Sequence, residues 1–351
     1  MTAERLSPVP RERTARSDRR GSSRLALWLV VSTAGLVVII FLSLVLGTRE
    51  ISVDTVVRAL FVPSDTSTDL TVVRDLRVPR TIIGLVAGAA LALAGTIMQG
   101  LTRNPLADPG LLGVNSGASL FVVLGITFFG ASSATGYVWF AFAGAAAATV
   151  VVYLVASGRN GPNPVALTLA GSAVTAAITS VITLVLLTDL DTLNQYRFWA
   201  VGSLVGRDLD ALAGLAPFLV IGVILALALG RTLNVLALGN DVAVGLGHSV
   251  VRSRIVAAVA IVILCGAATS LAGPIVFVGL VVPHIVRRIT GPDYRWILAY
   301  SVVFGAALLV TADIIGRLIV QPAELEAGLV VAFVGAPVMI ALVRRARSAA
   351  L

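Results

Sequence analysis

Uncharged apolar runs recur along almost the whole chain, interrupted at short intervals by arginine, proline and glycine. They occupy residues 25–48, 81–102, 109–158, 160–188, 211–230 and 255–286. A helix needs about 20 apolar residues to cross the hydrocarbon core of a bilayer. The runs 109–158 and 255–286 are therefore long enough for two crossings each, and 296–312 and 327–343 add two slightly shorter ones. The pattern predicts ten helices, near 25–46, 81–101, 111–130, 137–157, 164–187, 211–230, 254–271, 274–290, 296–316 and 327–343. The expected fold class is an all-α polytopic membrane protein. A polar, arginine-rich tail over 1–24 precedes a membrane domain over 25–345, and 346–351 forms a short C-terminal segment.

Composition supports this reading. Hydrophobic residues make up 58% of the 351 and charged residues 13%, against roughly 25% charged in soluble domains; mean hydropathy is +0.98. A single cysteine, Cys265, excludes an intrachain disulfide framework or a CxxC metal or redox site. The two histidines, His248 and His284, are too few and too far apart to point to haem or zinc. Residues 1–24 hold seven arginines and lead into an apolar helix without a small-residue cleavage pattern, which reads as a retained first span rather than a signal peptide. All 26 basic residues are arginine. A Walker A loop sets a lysine on the phosphates, so a chain without lysine is no conventional P-loop ATPase, and any ATP-driven work falls to a partner.

With ten helices and a cytoplasmic N-terminus, eighteen arginines lie inside and eight outside: Arg49, Arg58, Arg74, Arg77, Arg80, Arg197, Arg207 and Arg317. That asymmetry obeys the positive-inside rule, so the pI near 10.8 reflects topology and not nucleic-acid binding. The outer arginines, above all those of "RDLRVPR" at 74–80, admit two readings: snorkelling at a helix start, or a docking patch for an acidic partner.

The second helix repeats small residues every four positions, Gly84, Gly88, Ala92, Thr96 and Gly100. Such a stripe lets helix backbones approach closely, either in ordinary packing or at a dimer or pathway interface. After it comes "NPLADPGLLGVNSGAS", where Asn104-Pro105 and Asp108-Pro109 force turns. Broken backbone survives at membrane depth only under cover of protein or a water-filled cavity. Asn115 and Ser116, in "GVNSG" next to Pro109, can cap freed backbone or face a pathway. A second break lies in 270–295, where Gly273, Pro274 and Pro283 split a short apolar run and His284 nears Arg287 and Arg288. Paired interruptions of this kind mark transporter pathways.

Residues 231–254, "RTLNVLALGNDVAVGLGHSVVRSR", are too polar to span and too apolar for a solvated linker. They fit a compact apolar knob for a groove in a partner, or an interfacial amphipathic helix.

Taken together, several segments resemble the FecCD-type permease subunits of bacterial ABC importers. They are "LRVPRTIIGLVAGAALALAGTIMQGLTRNPLADPGLLGVNSGAS", "LALGNDVAVGLG", "GPIVFVGLVVPHIVRRITGPDYR" and "ADIIGRL…AELEAGLVVAFVGAPVMIAL". The resemblance covers essentially 25–345, in order. It implies a type II importer permease of ten helices per subunit in the bacterial inner membrane, both termini cytoplasmic, paired with an identical or related subunit around a central pathway. It implies two ATPase subunits inside, carrying ATP and magnesium, with neither catalysis nor cofactor in this chain. An extracytoplasmic binding protein would meet Arg77, Arg80 and Arg317. The ATPase cleft would receive the coupling stretch Leu236, Ala237, Leu238, Gly239, Asn240, Asp241, Ala243, Gly245, Leu246 and Gly247. Iron–siderophore, haem and cobalamin are the substrates this architecture serves, and the "GPDYR" ending looks closest to the iron–siderophore members. Asp313, four residues before Arg317, is expected to pair with it along the helix. An ion-coupled secondary transporter is the more distant alternative, with little for ions to couple to beyond Asp313. An integral-membrane enzyme fits less well, because the acidic residues lie almost wholly in loops and tails.

Overall fold

The computed structural model describes residues 11–62, 67–131, 133–158, 161–162 and 164–348; residues 1–10 of the tail and 349–351 of the C-terminal segment lie outside them. All ten expected segments are helical. They are α1 (Arg11–Val45), α3 (Thr68–Thr102), α4 (Val114–Phe129), α5 (Ala134–Ala156), α6 (Pro164–Thr188), α8 (Leu209–Ala228), α11 (Val250–Ala272), α12 (Val278–Thr290), α13 (Tyr294–Ile319) and α14 (Ala327–Ser348). Among the described residues four short α-helices, α2 (Val53–Phe61), α7 (Leu190–Ala200), α9 (Gly230–Ala237) and α10 (Asn240–Gly245), and a 3-10 turn over Pro109–Leu112 join them. Sequence reading left α2 and α7 as connections, yet each carries its own start signal. The Ser52 hydroxyl accepts from the Thr55 amide and the Asp189 carboxylate from the Asp191 and Thr192 amides, a side-chain N-cap in both cases.

Among the described residues, seven helices are long and apolar enough to cross a membrane. The expected span at 274–290 is shorter than predicted: α12 has 13 residues, roughly 20 Å at 1.5 Å per residue, against a hydrocarbon core of about 30 Å. The backbone cannot turn helical earlier, because Gly273 (φ +77°) and Phe277 (φ +70°) both sit in the left-handed region. The stretch between them supplies the missing depth. Gly273 and Ile275 are buried at its start, whereas Val276 is exposed, so this broken backbone is covered by protein only in part.

The core forms around α3, whose residues Ile83, Leu91, Leu93, Ile97 and Met98 are all buried. Its small-residue stripe turns out to be a packing seam toward α13, with Thr96 and Ser301 hydroxyls 2.9 Å apart in the middle. One residue off that stripe, a Cβ on Gly95 would stand 1.9 Å from the Gly279 carbonyl oxygen, which shows that α3 and α12 touch backbone to backbone. Without an aqueous driving force, close van der Waals approach and inter-helix hydrogen bonds hold such helices together. In contrast, α1 and α6 present most of their apolar surface outward, including Leu27, Val37, Leu169 and Leu184.

Candidate functional site

Two polar assemblies stand at opposite ends of α3, one around Arg77 and Arg80, the other around Arg103 and the 231–249 loop. The 25 helical residues Val78–Thr102 separate Arg77 from Arg103, roughly 39 Å at 1.5 Å per residue step.

At the first end the three arginines expected on a docking surface are buried: Arg77 is 6% exposed, Arg80 9% and Arg317 2%. A π-helical turn over Val72–Arg77 brings Arg77 to the end of α1, where it donates to the carbonyls of Leu44 (2.8 Å), Val45 (2.7 Å) and Arg49 (2.5 Å). Arg317 donates to the Ser43 carbonyl (2.9 Å) and hydroxyl (2.8 Å) and to the Leu46 carbonyl (3.1 Å). The last carbonyls of a helix lack intrahelical partners, and these two guanidiniums cap those of α1. Asp313 pairs with Arg317 at 2.5 Å along α13, as its spacing predicted. It also binds Arg80, which approaches with Nε at 2.9 and 3.0 Å and Nη2 at 2.7 Å. The remaining edge of Arg80 reaches Glu324 at 2.6 Å. A buried carboxylate thus sits between two arginines and locks α1, α3 and α13 together.

Above this lock opens a pocket of about 230 Å³ whose wall includes Arg49, Asp75, Arg77, Arg80, Arg207, Arg317 and Glu324. Sequence reading missed Arg207 and Glu324 as site residues. Glu324 was visible only as the first Glu-Leu-Glu carboxylate of a quoted segment, and Arg207 only as one outer arginine among eight.

At the other end, α9 and α10 form the apolar knob. Leu233, Leu236 and Ala243 point inward and are buried, whereas Leu238, Val242, Val244 and Leu246 are exposed, from 47% to 64%. Gly239 (φ +117°) and Gly247 (φ +80°) bound α10 in conformations that side chains resist. Ala237, Asn240, Asp241 and Gly245 are exposed, and Arg103 hydrogen-bonds to Asn240, joining the α3 terminus to the knob. A second tie is Asn234, which donates to the Asp293 carboxylate (2.7 Å) and accepts from the Tyr294 amide (2.8 Å) at the start of α13. Hydrogen bonding from Arg295, helped by Asn234, holds Asp293 at about 2.

The two breaks are separately placed. In the first, the Asn104 carboxamide accepts from the Leu106 amide (2.9 Å) and Asp108 from the Gly110 amide (2.7 Å), giving local turns ahead of Pro105 and Pro109. Ser116 donates back to the Gly113 carbonyl (3.1 Å) and meets Thr175 of α6 at 3.2 Å; Asn115 accepts from Thr269 of α11 at 3.1 Å. Ser116 thus bonds freed backbone, as a cap does, whereas Asn115 ties α4 to α11 side chain to side chain. In the second break, Gly273 packs beside the Trp199 carbonyl and Pro274 beside Gly202. Pro283 lacks the amide that would meet the Gly279 carbonyl, and Gln99 of α3 supplies a donor at 3.3 Å instead. His284 is half-buried on the same helix, near its basic end. The Asn115–Thr269 bond lies one helical turn before Gly273, where the second break begins, whereas the Pro283 part of that break meets α3 through Gln99.

Comparison with known proteins fits this arrangement. The model of the FecCD transport family matches residues 35–345. The ferric enterobactin transport system permease protein FepD of Escherichia coli (strain K12) is 48% identical over 323 residues, which are 92% of this chain and 94% of that protein. The Fe(3+)-citrate import system permease protein YfmD of Bacillus subtilis (strain 168) is 42% identical over 335 residues, 95% and 98% of the two chains. A solved metal-chelate type ABC transporter in an inward-facing conformation aligns with a TM-score of 0.79 at 26% identity, over 91% of this chain and 99% of that one.

Proposed function

The chain belongs to the FecCD transport family and is a permease subunit of an ABC importer, and on that premise we propose that its cargo is a ferric siderophore. The observation that carries this reading is the 48% identity, along nearly the full length, to a ferric enterobactin permease. Two such subunits, identical or paired, form the pathway, and the outward apolar faces of α1 and α6 suit burial in lipid and against that second subunit. Two ATPase subunits bind ATP and magnesium and engage the exposed leucines and valines of the knob from the cytoplasm, where both termini of this chain also lie. An extracytoplasmic binding protein delivers cargo to the arginine end.

The chain's own part is mechanical. A push on α9 and α10 passes to α3 through Arg103 and to α13 through the Asn234–Asp293–Tyr294 bonds. Both helices end in the Arg80–Asp313–Arg317 lock at the opposite face, so a cytoplasmic movement reaches the docking end through two continuous helices. Asp313 is neutralised between two arginines, which favours a structural role over the ion coupling of a secondary transporter.

Uptake in the strain of origin with this gene deleted tests the cargo. Loss of radio-iron uptake from ferric enterobactin or a related siderophore, restored by the intact gene while labelled cobalamin and haem enter normally, is the expected result. Selective loss of cobalamin or haem uptake would refute the cargo and leave the architecture standing.

A further inference from the structure

The five arginines around the outer pocket are not equivalent. Arg77 spends its Nη donors on the end of α1, Arg317 spends its own there and on Asp313, and Arg49 holds Asp69 at 2.7 Å. Arg207 donates from Nε to the Ser203 carbonyl at 3.0 Å, and among the described residues it has no carboxylate within 4.0 Å. Arg80 keeps one edge on the buried Asp313 and lends its outer Nη1 to Glu324, whose side chain is 26% exposed. Among the described residues two carboxylates, Asp75 and Glu324, line the pocket beside the five arginines. Its positive potential therefore favours an anionic occupant, and about 230 Å³ equals roughly eight water volumes, room for one acidic side chain.

Glu324 differs from Asp313 in its freedom to leave. Asp313 is 1% exposed and held by two arginines. Glu324 lies in the link between α13 and α14, where the Leu325 amide is fixed on the Gly316 carbonyl at 3.0 Å. Its carboxylate can swing off Arg80 by side-chain rotation while the backbone stays anchored.

We infer that Glu324 is a resident stand-in for a carboxylate of the docking protein: an incoming Asp or Glu takes the outer edge of Arg80 together with Arg207, and Glu324 turns out to solvent. The inference rests on the reading that the arginine end receives the binding protein. Between docking events Glu324 balances the second of two buried guanidiniums that share Asp313, since an uncompensated buried charge is strongly unfavourable. It also makes docking an exchange of one carboxylate for another, which limits affinity and so lets the binding protein leave after delivery.

The test is titration of the complete transporter, reconstituted in nanodiscs, with the purified binding protein of the same transport system. Glu324→Gln preserves shape and removes the competing charge; it should tighten binding by about tenfold. Glu324→Asp keeps the charge and should bind like wild type, and Arg207→Gln should weaken binding by about tenfold. Unchanged affinity of Glu324→Gln, with wild-type thermal unfolding, would overturn the exchange while leaving the docking surface in place. Equal tightening by Glu324→Asp would also overturn it, because charge would then not be the cause. No binding by the wild-type transporter would remove the docking reading itself, and the exchange with it.

Discussion

Gly88 and Gly305 meet backbone to backbone. A Cβ on Gly88 would stand 2.3 Å from the Gly305 carbonyl oxygen, and one on Gly305 would stand 2.4 Å from that of Gly88. This contact sits on the stripe that continues through Ala92, Thr96 and Gly100, so the stripe is the α3–α13 seam. Gly88→Ala should force the helices apart and destabilise by about 1–3 kcal/mol or more, the usual range for overpacking. Gly35→Ala provides the contrast, because nothing lies within 4 Å of its Cβ. Thermal unfolding of the purified permease should fall for the first variant and hold or rise for the second.

The Arg80–Asp313–Arg317 lock predicts an asymmetric penalty. Asp313→Asn removes the charge that both buried arginines face and should destabilise by about 3–5 kcal/mol, as expected when one partner of a buried ion pair is lost. An exposed pair such as Arg58–Asp54, with side chains 60% and 68% exposed, contributes at most about 1 kcal/mol. Asp54→Asn should therefore unfold close to wild type in the same assay.

The knob has an inside and an outside. Leu238→Glu or Leu246→Glu places charge on the exposed face and should weaken co-purification of the ATPase subunits by about tenfold or more, if these side chains act as interface anchors. Membrane levels of the permease should stay normal. Ala243→Glu is expected to behave differently, since Ala243 is fully buried; it should lower the amount of folded permease, measured by detergent-soluble yield.

Asp293 gives the loop end a pH dependence. Its carboxyl is held at about 2 in the fold, mainly by hydrogen bonding from Arg295, against about 3.9 for an ordinary aspartate. A depressed carboxylate stabilises above its unfolded value, and that contribution is lost as pH falls through the folded one. The stabilisation should be complete above about pH 5 and lost progressively as pH falls toward about 1. Asp293→Asn should unfold at a lower temperature than wild type at neutral pH, and the difference should shrink as pH drops across that window.

Much of the fold was legible because the signals are local. Apolar run length located the ten membrane segments, and Asn104-Pro105, Asp108-Pro109 and Gly273-Pro274 located the breaks. What run length could not supply was the true reach of α12, which depends on Phe277 adopting φ +70°. The apolar knob was also located by its apolar residues, but not which of them face outward: Leu236 and Ala243 point in while Leu238 and Val244 point out. The arginine end was the least legible. Arg80 finds Asp313 across 233 positions and Glu324 across 244, and no periodicity or spacing connects residues so far apart. Hence three arginines that read as surface charges are buried ones, and the residues that open onto the pocket include Arg207 and Glu324.

ATP-dependent uptake by proteoliposomes containing the permease, its ATPase partners and the binding protein tests the central claim most directly. With ATP trapped on the knob side, radio-iron supplied as a ferric siderophore should accumulate, and Leu238→Glu should abolish accumulation without loss of permease. Accumulation that proceeds equally without ATP, or that follows an imposed proton or sodium gradient, would contradict the account.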